Sequence, residues 1–305
     1  MPHYAFFKNQ FVPLSEAKIG VMTHALHYGT AVFEGIRGNW NSKRQQMYLF
    51  RLKDHYQRLL NGCRLMKINL PYSIDELCRT TIELAKKCGF KEDIYIRPLA
   101  YKSSEALGVR LYDLEDDFLI LTIPWGPYLD MDKARCGVSS WRRSADNAIP
   151  PQAKITGIYV NSALARTEAT EHGFDEAIML TPEGHVSEGS GENIFLVIGG
   201  KLVTPASYNN ILLGITRDCV IKLAQNELGV ETIERTVVRS ELYTAEECFL
   251  TGTAAHITPV AEIDYRKIGD GEIGEITKKL QKLYFEVIRG DNPKYLDWCT
   301  PVYKK

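Results

Sequence analysis

The sequence lacks the features that mark several large classes of protein. It has no basic excess, since 37 Lys and Arg stand against 38 Asp and Glu and leave a formal net charge of −1. Proteins that bind nucleic acid through its phosphates normally carry surplus positive charge, so nucleic acid is not an expected partner. The uncharged stretches are all too short to cross a bilayer, and one of them, residues 118–129, is also interrupted by prolines. The first residues lack the apolar core of a signal peptide, so no membrane partner is expected.

Cysteine and histidine are not arranged for a disulfide framework or a zinc site. The seven cysteines are odd in number and include no CxxC pair, which favours reduced thiols and a cytoplasmic protein. His24 and His27 are the only close histidine pair, and ordinary polar contacts explain such a pair more often than a metal does, so no metal is expected. No GxxxxGK[ST] occurs, and the one GxGxxG, residues 269–274, does not follow a strand expected from the sequence, which argues against the Rossmann and P-loop nucleotide folds.

What is present predicts a two-domain α/β protein in which antiparallel hairpins outnumber βαβ units. Residues 1–126 form the expected first domain, 127–137 the connection and 138–305 the second domain. One helix is expected to begin at Ser73, with a capping box to Glu76, and to stop at Gly89. The other expected helices span 52–66, 161–172, 216–228 and 275–289, the hairpins 4–14, 176–188 and 193–205, and further strands 93–101, 116–125 and 137–143.

Lys154 is the first residue that could carry chemistry. It is the only charged residue between Ala148 and Ala165, in a loop that follows two prolines. A lysine of this kind is either a solvated loop residue or a desolvated amine that forms a Schiff base with a carbonyl compound. The segment alone does not decide between these readings.

Glu188 lies in the segment SEGSGEN, where glycines let the backbone approach a planar ligand. The segment is either a polar connection between two hairpins or the site of a carboxylate that faces a pyridine nitrogen. Such a carboxylate keeps that nitrogen protonated, as pyridoxal 5′-phosphate (PLP) requires when it acts as an electron sink.

Two runs of small residues could bind an anion. Leu213, Gly214, Ile215 and Thr216 open a predicted helix, whose free N–H groups and dipole favour a phosphate. A plain threonine N-cap is the alternative. The run 251–255, TGTAA, offers a second set of N–H groups.

Eight segments in co-linear order resemble the class IV PLP aminotransferases, and within them the branched-chain amino acid aminotransferases. The resemblance implies a two-domain α/β fold of type IV, with an antiparallel-rich small domain and a larger pseudo-barrel domain. The segments are HALHYGTAVFEGIR (24–37), YIRPL (95–99), PWGPYL (124–129), VSSWRR (138–143), AKITGIYVNS (153–162), EGHVSEGSGENIF (183–195), LGITRD (213–218) and TGTAAHITPV (251–260).

The resemblance also implies roles for individual residues toward the cofactor. Lys154 stands at the Schiff-base lysine and is the implied catalytic residue, Glu188 at the partner of the ring nitrogen, and Tyr159 at the hydroxyl on the ring oxygen. Arg58 matches the phosphate arginine, a role that its position on a predicted helix does not reveal. The other implied cofactor residues are Gly191, Glu192, Asn193, Leu213, Gly214, Ile215, Thr216 and Thr253.

The implied substrate pocket must accept both an apolar side chain and the carboxylate of glutamate, which an apolar wall alone would leave unpaired. By resemblance, Phe33, Tyr95 and Trp125 supply the apolar wall, while Arg97 bonds the glutamate carboxylate. Core packing is the alternative for the aromatic residues. Tyr95 and the N–H groups of Thr253 and Ala254 are implied to hold the α-carboxylate. The remaining implied substrate residues are Tyr28 and Tyr128 beside Arg97, Ala255, and Val109 in a loop that completes the pocket of a neighbouring subunit.

The expected activity is transfer of the amino group from L-leucine, L-isoleucine or L-valine to 2-oxoglutarate, by a homodimer at minimum, with a hexamer as the larger assembly. The alternatives are a D-amino acid or (R)-amine transaminase, an aminodeoxychorismate lyase-like enzyme, or a non-catalytic scaffold. One departure from the family pattern is His256, where bacterial relatives commonly have Glu. The sequence does not give the preference among the branched-chain substrates.

Overall fold

The computed structural model describes residues 3–126 and 133–303. The chain divides into two compact units. Unit 1 comprises Met1–Gly126, Ala153–Gly157 and Glu286–Lys305, and unit 2 comprises Pro127–Gln152 and Ile158–Phe285. The short segment that contains Lys154 therefore belongs to unit 1, although unit 2 precedes and follows it in the sequence.

Seventeen strands and six α-helices are found in the described part of the chain. The strands are β1 (Tyr4–Phe7), β2 (Gln10–Pro13), β3 (Ala31–Phe33), β4 (Ile36–Asn41), β5 (Gln46–Phe50), β6 (Ile94–Lys102), β7 (Asp116–Pro124), β8 (Ala134–Arg142), β9 (Glu176–Leu180), β10 (Val186–Gly189), β11 (Asn193–Ile198), β12 (Lys201–Pro205), β13 (Thr232–Arg235), β14 (Glu247–Gly252), β15 (His256–Ile263), β16 (Arg266–Lys267) and β17 (Cys299–Pro301). The helices are α1 (His24–Tyr28), α2 (Leu52–Leu65), α3 (Ile74–Cys88), α4 (Tyr159–Glu171), α5 (Ile215–Leu223) and α6 (Glu275–Ile288).

Unit 1 is built on an antiparallel sheet. Its strand order is β17-β5-β4-β6-β7-β1-β2, and β3 also pairs with β6. The first hairpin is confirmed: Tyr4 lies opposite Pro13, and the turn residues Lys8 and Asn9 have φ values of 48° and 61°. Two successive residues with positive φ match the twist of a tight hairpin.

The two long helices of unit 1 follow their apolar patterns, as predicted. α2 buries Leu52, Tyr56 and Leu59 on one face. α3 begins with the expected capping box, in which the Ser73 hydroxyl accepts the Glu76 N–H and the Glu76 carboxylate accepts the Ser73 N–H, and it ends at a left-handed Gly89. Because the apolar face of α2 is buried, the positions of His55 and Arg58 on the same helix are fixed as well.

Unit 2 contains a mixed nine-stranded sheet in the order β10-β9-β8-β15-β14-β11-β12-β13, with β16 on β15. The β8–β9, β8–β15 and β12–β13 pairs are parallel and the others antiparallel. The hairpins β9–β10 and β11–β12 are confirmed. The helix predicted for 216–228 is α5 followed by a π-helical turn, Ala224–Leu228, that stops at left-handed Gly229.

Several elements were not predicted from the sequence. They include α1 and the strands β3 to β5, which follow one another between residues 24 and 50. β5 is buried along its whole length, so it shows no alternation of apolar and polar residues that would mark it as a strand. None of the helices among the described residues combines the length and apolar character that a membrane crossing requires.

Candidate active site

Lys154 is held in unit 1 by backbone pairing between its loop and β3. The Phe33 N–H donates to the Lys154 carbonyl at 3.0 Å, and Val32 forms a bridge with Ile155. Thr156 in the same loop donates its hydroxyl to the Gly29 carbonyl at 2.9 Å. The lysine backbone is therefore fixed by strand-like contacts rather than left in a solvated loop.

The Lys154 side chain is half-buried beside an aromatic ring. Its Nζ atom lies 5.0 Å from the centre of the Phe33 ring, and the Arg97 guanidinium lies 4.3 Å from the same ring. The ring thus accepts two cation–π contacts. Phe33 itself is buried, so both cations lie beside an apolar surface.

Tyr95 and Arg97 lie two residues apart on β6, therefore on the same face, and their polar ends meet. Arg97 Nη2 donates to the Tyr95 hydroxyl at 3.0 Å, and the Tyr95 ring packs against Trp125 at a centroid distance of 5.1 Å. The buried Arg97 Nε has no hydrogen-bond partner among the described residues. Gly35 permits this arrangement, because a Cβ there would lie 2.3 Å from the Tyr95 hydroxyl. The group offers a cationic donor beside an aromatic wall.

Arg58 lies on α2 and forms a buried ion pair. Its Nε and Nη2 donate to Glu34 Oε1 and Oε2 at 2.7 Å and 2.9 Å. His55, one helical turn before Arg58, bonds Glu34 Oε2 through Nδ1 at 2.6 Å. Burial raises the pKa of the Glu34 carboxyl, but Arg58 and His55 outweigh burial and hold that pKa well below its usual range. Glu34 is therefore ionised.

Tyr28 holds a neighbouring loop of unit 1. Its hydroxyl accepts the Gly108 N–H at 3.1 Å, and His24 Nε2 bonds the Gly108 carbonyl at 2.8 Å. Leu107 and Val109 on either side are 56% and 92% exposed. The loop is thus anchored at its glycine while it presents two apolar side chains.

Glu188 is the centre of the polar group in unit 2. Its carboxylate is buried, forms an ion pair with Arg143 Nη2 at 2.8 Å, and accepts from Asn193 Nδ2 at 2.9 Å and the Leu212 N–H at 3.0 Å. Arg143 also donates to Ser162 at 3.0 Å. These contacts hold the Glu188 carboxylate in one orientation.

Gly214 caps α5 directly beside Asn193. A Cβ on Gly214 would lie 2.0 Å from Asn193 Oδ1, so only glycine fits without displacing that side chain. Gly214, and not Thr216, occupies the N-cap, which removes the alternative of a plain threonine cap. The first N–H groups of the helix follow at Ile215 and Thr216, where an anion is favoured.

Residues 253–255 form the tight turn between β14 and β15. Thr251, at the end of β14, is buried, and its Oγ1 has no hydrogen-bond partner among the described residues. His256 begins β15 with φ of 56°, and its ring packs on Phe285 of α6 at 5.2 Å. The imidazole is therefore part of an aromatic cluster on α6.

Glu192 turns toward a second carboxylate. It lies beside Glu176, whose own carboxylate pairs with Arg166, and its Oε2 accepts the Gly191 N–H at 3.1 Å. Burial and the neighbouring Glu176 raise the pKa of Glu192 to about 8. Glu192 is therefore protonated at neutral pH and shares a hydrogen bond with Glu176.

The structure brings the predicted residues together within each unit. Phe33, Tyr95, Arg97, Trp125 and Lys154 form one group in unit 1, and Glu188 and Asn193 join the start of α5 in unit 2. Tyr159 is the first residue of α4, and Leu213 is 42% exposed. Tyr128 lies outside the described residues.

Sequence reasoning missed three residues of these groups. Glu34 accepts from Arg58, His55 bonds the same Glu34 carboxylate, and Arg143 pairs with Glu188. A signal was present for each: Glu34 lies in FEGIR, His55 precedes Arg58 by three residues on a helix, and Arg143 ends VSSWRR. Their partners, however, are distant in the sequence.

The residues present fit PLP. The ionised, buried Glu188 can face a protonated ring nitrogen, and the start of α5 offers N–H groups to a phosphate. The Thr251 hydroxyl lacks a partner among the described residues, as expected beside a polar ligand. In unit 1, Lys154 supplies the amine and Arg58 a guanidinium.

Comparison with known proteins agrees with this geometry. Residues 31–263 match the amino-transferase class IV family. The chain is 53% identical to the probable branched-chain-amino-acid aminotransferase of Aquifex aeolicus (strain VF5), over 99% of this chain and 97% of that protein. The crystal structure of the branched-chain aminotransferase from Thermoproteus uzoniensis with norvaline is 44% identical, with a TM-score of 0.95 over 99% of this chain and 100% of that chain.

A second crystal structure is that of the branched-chain amino acid aminotransferase from Thermobaculum terrenum in its PLP-form (holo-form). It is 40% identical with a TM-score of 0.95, over 99% of each chain. Fold and site together define a class IV aminotransferase, which confirms the expected fold class. Within that class, the chain belongs to the branched-chain amino acid aminotransferases.

Proposed function

We infer that the protein is a PLP-dependent transaminase that moves the amino group of L-leucine, L-isoleucine and L-valine to 2-oxoglutarate. The products are the branched 2-oxo acids and L-glutamate. The observation that carries the reaction class is the buried Glu188 carboxylate, fixed by Arg143, Asn193 and the Leu212 N–H. Membership of the branched-chain aminotransferases carries the substrate class.

Bound PLP supplies an electron sink for the negative charge that develops at the substrate α-carbon. Lys154 Nζ would bind the cofactor at rest and, once released from it, remove the α-proton of the amino acid and deliver a proton to the cofactor carbon. The fixed backbone at Phe33 and Thr156 limits the movement of Lys154 to its side chain. Glu188 would keep the ring nitrogen protonated, because its own ionised state is fixed by Arg143.

The remaining cofactor contacts are part of the proposal. Arg58 and the N–H groups that start α5 would bind the phosphate, and the Tyr159 hydroxyl would bond the ring oxygen. Gly214 supports this assignment, because the absence of its side chain brings the start of α5 against Asn193. The further proposed residues are Gly191, Glu192, Asn193, Leu213 and Thr253.

The proposed substrate pocket combines an apolar wall with one cation. Phe33, Tyr95 and Trp125 would contact the side chains of leucine, isoleucine and valine, whereas Arg97 would bind the glutamate carboxylate. The buried Arg97 Nε without a partner among the described residues supports the second role, since a carboxylate would satisfy it. The other proposed contacts are Tyr28, Val109, Tyr128, Thr253, Ala254 and Ala255.

We also propose that the protein works as a homodimer at minimum. Leu107 and Val109 are exposed on either side of a glycine that two hydrogen bonds anchor, as expected for an apolar loop that a second subunit covers. A cytoplasmic location is supported by the seven cysteines, all of which are buried and unbridged.

The test is the visible absorbance of the purified protein before and after L-leucine is added without an oxo acid. We expect the absorbance of lysine-bound PLP to disappear with L-leucine and to return with 2-oxoglutarate. Lys154→Ala should lose both the band and turnover, while Lys282→Ala, an exposed lysine of α6, should keep them. Normal transamination by Lys154→Ala would contradict the catalytic role. A response to D-alanine or an (R)-amine instead of L-leucine would contradict the substrate.

A further inference from the structure

We propose that Glu34 is a positioning residue for the phosphate site: braced by His55, it orients the Arg58 guanidinium toward the phosphate of PLP. The proposal rests on the proposed function, in which Arg58 binds that phosphate. It assigns a purpose to a buried carboxylate that the transamination chemistry itself does not use.

The geometry of the pair restricts the arginine. The Arg58 Nε and Nη2 donate to the two oxygens of Glu34 at 2.7 Å and 2.9 Å, so two nearly parallel bonds fix the plane of the guanidinium. Glu34 is completely buried and the Arg58 side chain is 14% exposed. The arginine is thus oriented by the protein before any phosphate arrives, which lowers the entropy lost on binding.

His55 braces the carboxylate from a second direction. Its Nδ1 lies 2.6 Å from Glu34 Oε2, and the imidazole is buried. Burial lowers the pKa of His55 below its ordinary value, although Glu34 opposes this shift. The neutral ring therefore donates its Nδ1–H to Glu34 and adds no positive charge. The charged groups of this network are then the Glu34 carboxylate and the Arg58 guanidinium, whose opposite charges cancel.

The backbone around Glu34 is fixed as well. Its N–H donates to the Pro98 carbonyl of β6 at 2.9 Å, and the preceding residue, Phe33, bonds the Lys154 carbonyl. His55 and Arg58 lie one turn apart on α2, so they face the same carboxylate. The network therefore connects the arginine to the strand that also holds the lysine loop.

A positioning role and a merely structural role predict different results. If Glu34 only stabilises the fold, its replacement weakens the binding of PLP and of pyridoxal, which lacks the phosphate, by the same factor. If Glu34 orients Arg58, its replacement weakens PLP binding selectively. The informative quantity is the ratio of the dissociation constants of pyridoxal and PLP, measured by absorbance titration of protein from which the cofactor has been removed.

We expect Glu34→Gln to lower this ratio at least about tenfold, the scale of one charge-assisted hydrogen bond. Arg58→Ala should lower it further, and Glu34→Gln should have no added effect in the Arg58→Ala background. The matched control is Glu83→Gln, an exposed carboxylate of α3, which should leave the ratio unchanged. If Glu34→Gln does not fold, Glu34→Asp keeps the charge but shortens the reach, and it should lower the ratio too.

The outcomes separate this inference from the proposed function. An unchanged ratio in the Glu34 variants beside a lower ratio in Arg58→Ala overturns the positioning role and leaves Arg58 as the phosphate residue. Equal weakening of PLP and pyridoxal, or tighter PLP binding, also overturns it. An unchanged ratio in Arg58→Ala refutes the phosphate assignment itself, and the inference fails with it.

Discussion

Replacing Gly214 by alanine should weaken cofactor binding through Asn193. Gly214 has φ of −68°, which alanine adopts without strain, so its backbone does not require glycine. The added Cβ would instead lie 2.0 Å from Asn193 Oδ1, far closer than real Cβ atoms approach a neighbour. Asn193 must therefore move, and its contacts with the carboxylate site must change.

The expected magnitude follows from the bonds that Asn193 makes. Its Nδ2 donates to Glu188 Oε2 at 2.9 Å and to the Leu212 carbonyl at 2.8 Å. A hydrogen bond to a charged group contributes about 1.5–3 kcal/mol and a neutral one about 0.5–1.5 kcal/mol. Loss of both costs about 2–4.5 kcal/mol, which corresponds to a PLP affinity roughly 30-fold to 2,000-fold weaker if the loss falls on the holo form.

The assay is a PLP titration of wild type, Gly214→Ala, Asn193→Ala and the double variant. Gly126→Ala is the control, because a Cβ there meets no atom of the described residues within 4 Å. Since Asn193→Ala removes the atom that clashes, the double variant should bind PLP about as well as Asn193→Ala alone. Wild-type affinity in Gly214→Ala, or fully additive losses in the double variant, would refute the reasoning.

Three further variants test other contacts. Arg143→Met leaves the buried Glu188 carboxylate without its cation and should lower the free energy of unfolding by about 3–5 kcal/mol. Calorimetry with PLP present should show a lower melting temperature, and an unchanged melting temperature would contradict this role of the ion pair. Arg97→Met should lower kcat/KM for L-glutamate about 10-fold to 150-fold and change that for L-leucine little, and equal losses would refute its selectivity. Because the folded pKa of Glu192 is raised from 4.5 to about 8, its contribution to stability is complete below pH 4.5 and is lost as the pH rises through 8. Glu192→Gln should remove that loss, and parallel melting curves for both proteins between pH 5 and 8 would disprove it.

Elements whose signals are local could be predicted from the sequence. The Ser73 capping box and the left-handed glycine that ends α3 lie within a few residues of the helix they bound. The same holds for the hairpin at Gly199 and Gly200, where two positive φ values fall between two apolar runs. Local chain geometry decides these features, so a single sequence contains them.

Features that depend on distant pairing could not be predicted in this way. β5 lies between β4 and β17 and is buried along its whole length, so no alternation of apolar and polar residues marks it. The site shows the same limit. The spacing of His55 and Arg58 is readable, but the Glu34 carboxylate that joins them lies 21 and 24 positions away. Arg143 meets Glu188 only because β8 and β10 belong to the same sheet.

The position of β17 has a consequence for the order in which the protein folds on the ribosome. β17 covers the β5 edge of the first sheet, with Cys299 opposite Phe50, and Asn41 bonds Asp291, 250 positions later. The sheet of unit 1 therefore lacks its edge strand β17 until almost all of the chain has been synthesised, although most of its other strands emerge first. Until then the β5 edge presents unpaired backbone N–H and C=O groups, on which another chain can add a strand and so aggregate. Truncation before residue 299 should accordingly reduce soluble yield more than it reduces the activity of the molecules that fold.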